Sequence, residues 1–435
     1  MTKRTLSVLT VLAIAVLAAA PAGAGTPIRL LPATAGDLAP AGIVAPSNAK
    51  ALPPLSRETV TFSWALKPDE PIQTTVEPHT ASSREYWQRV TAAELREGVT
   101  VHTTAPGALV RINPVRESLT DALVAIDPHN LTLRTPDGRV LTGGEGMDQL
   151  ATPEQLAEAD VPFPAGTSAF RLDGALGAGD IIVRAADLPA GDDAVYVVTV
   201  LDRESPAELR LRAAADVAFA GSSIGAVAAL ADGDRTLPIE TATARLVSPD
   251  GAVTPLDAAI AADGTVRISG RLPREIGPAD GLWEIHVTVA GALDGMTVRR
   301  DVRTAFAAVV PTARLTGDAT VAAVDGGLRI TFGVETAAAG RYEVRGVLFG
   351  TGDDGALHPA VRADAAAWLE AGAGSLDLVI DGGTLAAAGL HAPFELRDLR
   401  LLDQGRMFVL SRQARAVVLG RDVLAGLRLS EGARP

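Results

Sequence analysis

The chain has no cysteine among its 435 residues. That absence excludes disulfide staples, thiol nucleophiles, iron–sulfur clusters and thiolate zinc sites together. Aromatic residues are also scarce, at 4 Trp, 3 Tyr and 9 Phe, so any core must be built from Val, Leu, Ile and Ala. A basic surface is missing too. Lys and Arg total 39 against 52 Asp and Glu, for a net charge of −13. Nucleic acid is therefore excluded as a partner, because phosphate binding needs a cationic face that releases counterions. Beyond the leader, no apolar run approaches the roughly 18–20 residues of a membrane span. Only three lysines (Lys3, Lys50 and Lys67) accompany 36 arginines, a bias that reads as the codon composition of a GC-rich bacterium. What is present, 47% hydrophobic and 21% charged residues, is an ordinary globular mixture. The length allows two to four domains.

The first 24 residues read as a secretory signal peptide. Lys3 and Arg4 form a positive start, residues 6–20 an apolar stretch, and Ala22-Gly23-Ala24 a small-x-small cleavage site. Cleavage there removes two positive charges and takes the net charge from −13 to −15. The expectation is a secreted or periplasmic bacterial protein with no membrane insertion after signal cleavage.

Residues 25–55, rich in Pro, Ala and Gly, read as a linker or loose lead-in. Two capping boxes then predict short helices. Thr91 with Glu94 opens one that Gly98 closes, and Thr152 with Gln155 opens another that has Pro153 at its first position. Most of the remainder alternates with period two. It is punctuated by Asp-Gly pairs at 137–138, 250–251, 263–264, 325–326 and 354–355, each a hairpin signal. The clearest strand puts Trp283, Ile285, Val287 and Val289 on one face and Glu284, His286 and Thr288 on the other. Many short strands with little helix between them predict a mainly β chain of three tandem antiparallel β-sandwich domains after the signal peptide. The expected boundaries are 56–205, 206–308 and 309–421, with a frayed tail at 422–435.

Several stretches carry a family likeness. Ser83-Arg84-Glu85-Tyr86-Trp87, Ala105–Arg111, Phe163–Thr167 and Tyr196–Pro206 resemble the first part of a bacterial exported family known only as the domain of unknown function numbered 4785. The middle unit, with Gly281–Ile285 and Arg303–Phe306, is similar to immunoglobulin-like sandwiches of exported adhesion and protease-associated proteins. The last, with Ala365–Leu369 and Leu396–Leu401, resembles a β-rich module that follows such sandwiches. The resemblance spans about 50–420. It implies a fold and an export route, but no activity and no catalytic residue.

Each chemical motif has a bland alternative. Gly221-Ser222-Ser223-Ile224-Gly225 fits G-x-S-x-G, yet a nucleophile elbow needs a helix after the serine. Here Asp232-Gly233-Asp234 follows too soon, and a strand bend is expected. Gly174–Gly179 lacks the strand–turn–helix setting of a nucleotide loop and reads as a connection between strands. His79, His102 and His129 are irregularly spaced for zinc. Asp353 and Asp354 lack the ligand rhythm of a calcium loop and read as a hairpin turn. Tyr86-Trp87 is the only adjacent pair of large aromatics. On a strand one of the two should face outward, as a sugar platform or a protein hot spot unless a domain or helix covers it. Arg111, within an apolar strand, must be exposed or paired. Tyr86, Trp87 and Arg111 are therefore the candidate ligand-binding residues.

No catalytic, cofactor or metal residue is expected. The function these observations point to is an exported, non-enzymatic binding or spacer protein of the cell envelope or exterior. One alternative is a binding module for a glycan or for another exported protein such as a secreted peptidase. The other is a hydrolase with a carboxylate site scattered over strands.

Overall fold

The computed structural model describes residues 25–46, 54–116, 123–159, 162–277 and 281–425. The leader at 1–24 lies outside the described residues. The chain is mainly β, and among the described residues its strands pair antiparallel except Val217–Phe219, which runs parallel to Met296–Val309. Among the described residues no helix is long and apolar enough to cross a membrane. Two compact units emerge, and chain order does not separate them simply. Among the described residues, one combines 25–44, 54–75 and 312–425, and the other is essentially 76–311. The second is thus an insertion between strands of the first.

In the C-terminal unit a four-stranded sheet runs in the order Thr26–Arg29, Ala313–Val324, Gly327–Thr336, Gly372–Ile380. A five-stranded sheet runs in the order Val60–Ala65, Leu357–Leu369, Gly340–Thr351, His391–Asp403, Phe408–Leu419. Ile330, Phe332, Tyr342, Val361, Leu378, Phe394 and Leu401 belong to its buried core. The hairpin at Asp325-Gly326 has positive φ at both positions (48° and 76°). A two-residue hairpin turn that matches strand twist requires this, and Asp-Gly tolerates it.

Two expectations are corrected here. The lead-in is not a loose linker throughout, because Thr26–Arg29 pairs with residues 318–321 and Leu38 bridges to Arg412. Unpaired edges of both sheets recruit it. The expected tail begins later than residue 422. Arg421–Leu424 is a helical turn and Leu424 is buried in the core, because its side chain is apolar and reaches that core.

The inserted unit holds two cores. The first lies between a five-stranded sheet (Glu85–Thr91, Val195–Leu201, Leu109–Pro114, Ser168–Leu172, Met147–Ala151) and a four-stranded one (Val99–Thr103, Gly179–Arg184, Thr132–Arg134, Val140–Leu141). Both expected helices form, Ala92–Glu97 and Pro153–Glu158, each with its capping box made. The second core sits within strands of residues 207–309. Strand Trp283–Leu293 alternates as expected, with Ile285, Val287 and Val289 buried. Trp283, at its end, is only partly buried. The boundary at 205/206 cuts through this sheet, because Thr80–Ser83 pairs with Ala207–Ala213 and Ala81 packs on its core.

Candidate functional site

The strand Glu85–Thr91 lies at the edge of the first five-stranded sheet. Its alternation sends Tyr86 inward and Trp87 outward. Tyr86 is buried, and its hydroxyl accepts from the His102 backbone N–H at 2.7 Å. Burial pushes its phenol well above the ordinary value. Tyr86 therefore holds the edge strand to its neighbours and is not available to a ligand, which corrects its place among the candidates. Trp87 is 36% exposed.

Cross-strand register brings the other two candidates together. Trp87 pairs with Thr199, and Thr199 on its other side pairs with Arg111. The three side chains form one row on the outer face, since residues directly opposite share a face. Arg111 is half-buried. Its Nη2 donates to Thr199 Oγ1 at 3.5 Å, and its guanidinium lies 5.2 Å from the centre of the exposed Phe163 ring. Leu109, also exposed, lies one alternation along the same strand. The face thus offers apolar rings and a leucine side chain beside Arg111, with the exposed Arg171 opposite Leu109 and Arg89 one alternation from Trp87.

Beside Trp87 the edge opens into a cleft of about 480 Å³, lined by Trp87, Gln88, Arg89, Glu94, Gly98 and Arg299 among others. Arg245 sits with its guanidinium 5.1 Å from the indole centre, a cation–π distance. Arg299 Nη1 donates to Gln88 Oε1 at 3.0 Å, and Gln88 Nε2 donates to Thr100 O at 3.0 Å. The free edge is closed by a carboxylate: the Trp87 N–H donates to Asp301 Oδ2 at 2.7 Å, and Thr288 Oγ1 donates to Asp301 Oδ1. Burial raises the Asp301 carboxyl above the ordinary range, against the pull of those hydrogen bonds and the nearby arginines. Capping an outward N–H this way blocks strand addition and fixes the Trp87 backbone.

The remaining motifs are located as follows. Ser223 is exposed at the start of the ten-residue strand Ser223–Asp232, with no helix after it, and His286 bonds Glu284 at 2.7 Å. Gly174–Leu176 is one 3-10 turn between strands. His79 bonds Thr304, His102 bonds Asp180 and His129 bonds Asp127. Among the described residues no three His, Asp or Glu side chains are grouped to hold a metal.

Asp354 closes its hairpin by accepting from the Ala356 N–H at 2.9 Å, and it also receives His358 Nε2 at 2.9 Å. The Asp354 hydrogen bond raises the His358 imidazole above its ordinary value. A raised histidine contributes stability below its unfolded value, near pH ~6.5, and loses it as pH rises through the folded value. Asp354→Asn, which can keep the turn, is expected to return His358 toward the ordinary value in an NMR titration. An unchanged midpoint would assign the shift to something else.

Sequence reasoning missed a second aromatic pair, Phe62 and Trp64, both exposed on strand Val60–Ala65. The signal was present in the alternation Val60-Thr61-Phe62-Ser63-Trp64. It was obscured because the strand pairs with residues 361–366, some three hundred positions away.

Comparison with known proteins places this geometry in context. Residues 52–202 match the model of the N-terminal domain of a domain of unknown function (DUF4785), and residues 312–420 match the C-terminal domain of the same family. The crystal structure of a DUF4785 family protein from Legionella pneumophila superposes with a TM-score of 0.65 at 23% identity. The match covers 86% of this chain and 99% of that one. At that identity it shows the fold alone. Trypsin-activated α2-macroglobulin from Escherichia coli aligns at a TM-score of 0.20 and 15% identity, covering 72% of this chain and 22% of that one. Methylamine-reacted α2-macroglobulin from Salmonella aligns at 0.19 and 12%, covering 79% and 24%. Both scores are too low to carry an argument. No curated protein matches the chain.

Proposed function

The chain belongs to the DUF4785 family, and from that premise we propose that it is an exported, non-enzymatic protein that works by binding. Its recognition face is the outer surface of the first five-stranded sheet, with Trp87 and Arg111 as anchors. One observation carries this reading: two residue types that dominate binding hot spots stand in a single cross-strand row beside an open cleft. Export rests on the leader sequence, Lys3 and Arg4 followed by residues 6–24.

Two acids beside the cleft are already committed to structural hydrogen bonds, which favours binding over hydrolysis there. Asp301 is buried and occupied by the Trp87 N–H and Thr288. Glu94 accepts from the Thr91 N–H at 2.7 Å as part of a helix cap. A general acid or base would need a carboxyl free to meet substrate.

The test is capture from the native envelope fraction with mature wild-type protein and with a Trp87→Ala/Arg111→Ala variant. Truncating anchors of this kind typically costs roughly 2 kcal/mol or more each. A partner held by wild type and lost by a variant of unchanged melting temperature supports the reading. A partner held equally by both removes the site. Recovery of the exported protein with Met1 still attached would count against the export half.

A further inference from the structure

Arginines gather around Trp87 in a chain whose acids outnumber its bases, 52 to 39. Arg111 follows Trp87 and Thr199 in one cross-strand row, and Arg171 lies on the next strand, opposite Leu109. From strands Ile239–Val247 and Met296–Val309, Arg245 reaches the indole and Arg299 lines the cleft. None of these four forms an ion pair with a carboxylate among the described residues. Arg171 donates to Gly107 O at 3.3 Å and Arg299 to Gln88 Oε1 at 3.0 Å. Arg111 is served least. Its Nε is buried without a hydrogen-bond partner, and the long bond to Thr199 is its only one among the described residues.

The local acids do not answer these charges. Asp301 is held by the Trp87 N–H and Thr288, and Glu94 by its helix cap. Glu85 is exposed, but Leu201 and Leu109 separate it from Arg171 in their row. A half-buried guanidinium in this position gains most from a carboxylate, which accepts two of its N–H groups in parallel.

The form of the carboxylate follows from the rest of the face. Trp87 and Phe163 each carry a guanidinium over the ring, Arg245 at 5.1 Å and Arg111 at 5.2 Å, which leaves no open platform for a sugar ring. A long polyanion would run from this patch onto the acidic remainder of the chain and be repelled there. A short segment stays within the patch. Exposed Leu109, Phe163 and Trp87 stand among the arginines, so its apolar side chains find contacts between its charges.

We propose that the partner of this face is a protein segment that combines acidic and apolar side chains. Its carboxylates pair with Arg111 and Arg171, and its apolar groups pack on Leu109 and Phe163. Asp301 occupies the Trp87 N–H, so the segment binds through side chains and does not add as a strand. This partner class rests on the reading of Trp87 and Arg111 as anchors.

Fluorescence anisotropy with the full chain tests it, using a labelled short peptide of alternating Glu and Leu. The matching Gln/Leu peptide, polyglutamate and polygalacturonate are the comparison arms. The expected result is that the Glu/Leu peptide binds about tenfold or more tightly than each comparison. Its affinity should fall at least as far between about 50 and 500 mM NaCl. Arg111→Gln is expected to weaken it about tenfold, and Arg111→Lys less. Arg171→Gln, at an exposed position, supplies the same readout if Arg111→Gln fails to fold. Equal binding of the Gln/Leu peptide, equal or tighter binding of polygalacturonate, or full binding by the folded glutamine variants would overturn the proposal. So would concentration-dependent dimerisation that Arg111→Gln abolishes, which would assign the face to a second copy of the chain. An envelope partner that needs Trp87 and Arg111 yet stays bound at high salt, uncontested by the Glu/Leu peptide, would overturn this partner class and leave the binding face standing. Absence of any such partner would instead remove the face itself.

Discussion

Replacing Arg300 with alanine is expected to destabilise the inserted unit by about 3–5 kcal/mol, the usual consequence of breaking a buried ion pair from one side. The Arg300 side chain is 0% exposed and that of Asp202 is 1% exposed. Arg300 Nη2 donates to Asp202 Oδ2 at 3.0 Å, to Ser205 Oγ at 2.7 Å and to Thr104 Oγ1 at 3.2 Å. Nε donates to Ala207 O at 3.1 Å and Nη1 to Arg299 O at 2.8 Å. Burial draws the guanidinium below its ordinary value, and the Asp202 charge works against that. Asp202 Oδ2 is held further by the Thr104 N–H and hydroxyl, each at 2.8 Å, while Oδ1 has no hydrogen-bond partner.

Truncating Arg300 leaves that carboxylate buried and uncompensated. The cluster also ties the two cores of the unit together, because Thr104 and Asp202 flank the first and Arg300 lies on a strand of the second. An Arg300→Met/Asp202→Leu pair, which removes both charges, is expected to recover much of the loss. Urea unfolding of wild type, both single variants and the pair decides it. A single-variant loss below about 1 kcal/mol, or a pair no better than the singles, would contradict the ion-pair account.

What the sequence disclosed follows a physical line between local and distant causes. The boxes at Thr91/Glu94 and Thr152/Gln155 are complete within four residues, and both form. The alternation from Trp283 to Val289 needs only one strand's own side chains to be legible. Which strands pair is a distant matter. Nothing in Thr26-Pro27-Ile28-Arg29 names residues 318–321 as its partner, and nothing in Thr80–Ser83 names 209–212.

Arg300 was legible in principle. Val298, Val302, Thr304 and Phe306 define the inward face of its strand, and residue 300 falls on that face. The reasoning that requires Arg111 to be paired or exposed applies there with more force. For the candidate site, the sequence singled out Trp87 and Arg111, but only register shows that Thr199 links them. Tyr86 is removed from the set by the same alternation that exposes its neighbour.

Deleting residues 25–46 is expected to destabilise the C-terminal unit by a few kcal/mol and to make it self-associate. This one segment hydrogen-bonds to the edges of both sheets. Thr26–Arg29 extends the four-stranded sheet along Ala313–Val324, and the Leu30 N–H donates to Gly317 O at 2.9 Å. The chain then crosses to the strand Phe408–Leu419. There the Leu31 N–H donates to Ala416 O at 2.8 Å, and Leu38 and Arg412 exchange two backbone hydrogen bonds at 2.8 Å each. Gln413 Nε2 donates to Leu31 O at 2.6 Å, and the Ala414 N–H donates to Asp37 Oδ1 at 2.7 Å.

Ile28 and Leu30 pack on the core from this segment. Burying such a side chain fully is worth about 1.5–3 kcal/mol, and these two are partly buried. Each backbone bond adds about 0.5–1.5 kcal/mol, and ordering the segment offsets part of the sum. The larger consequence concerns the edges. Without the segment, two strands present unpaired N–H and C=O rows to any neighbouring molecule. Denaturant unfolding and light scattering across a protein concentration series measure both effects. Ile28→Asp, which keeps the length but places a charge against the core, is expected to reproduce the loss of stability with less self-association. An unfolding midpoint equal to that of the chain with residues 25–46 intact, in a sample that stays monomeric, would mean that these residues only rest on the unit and do not hold it closed.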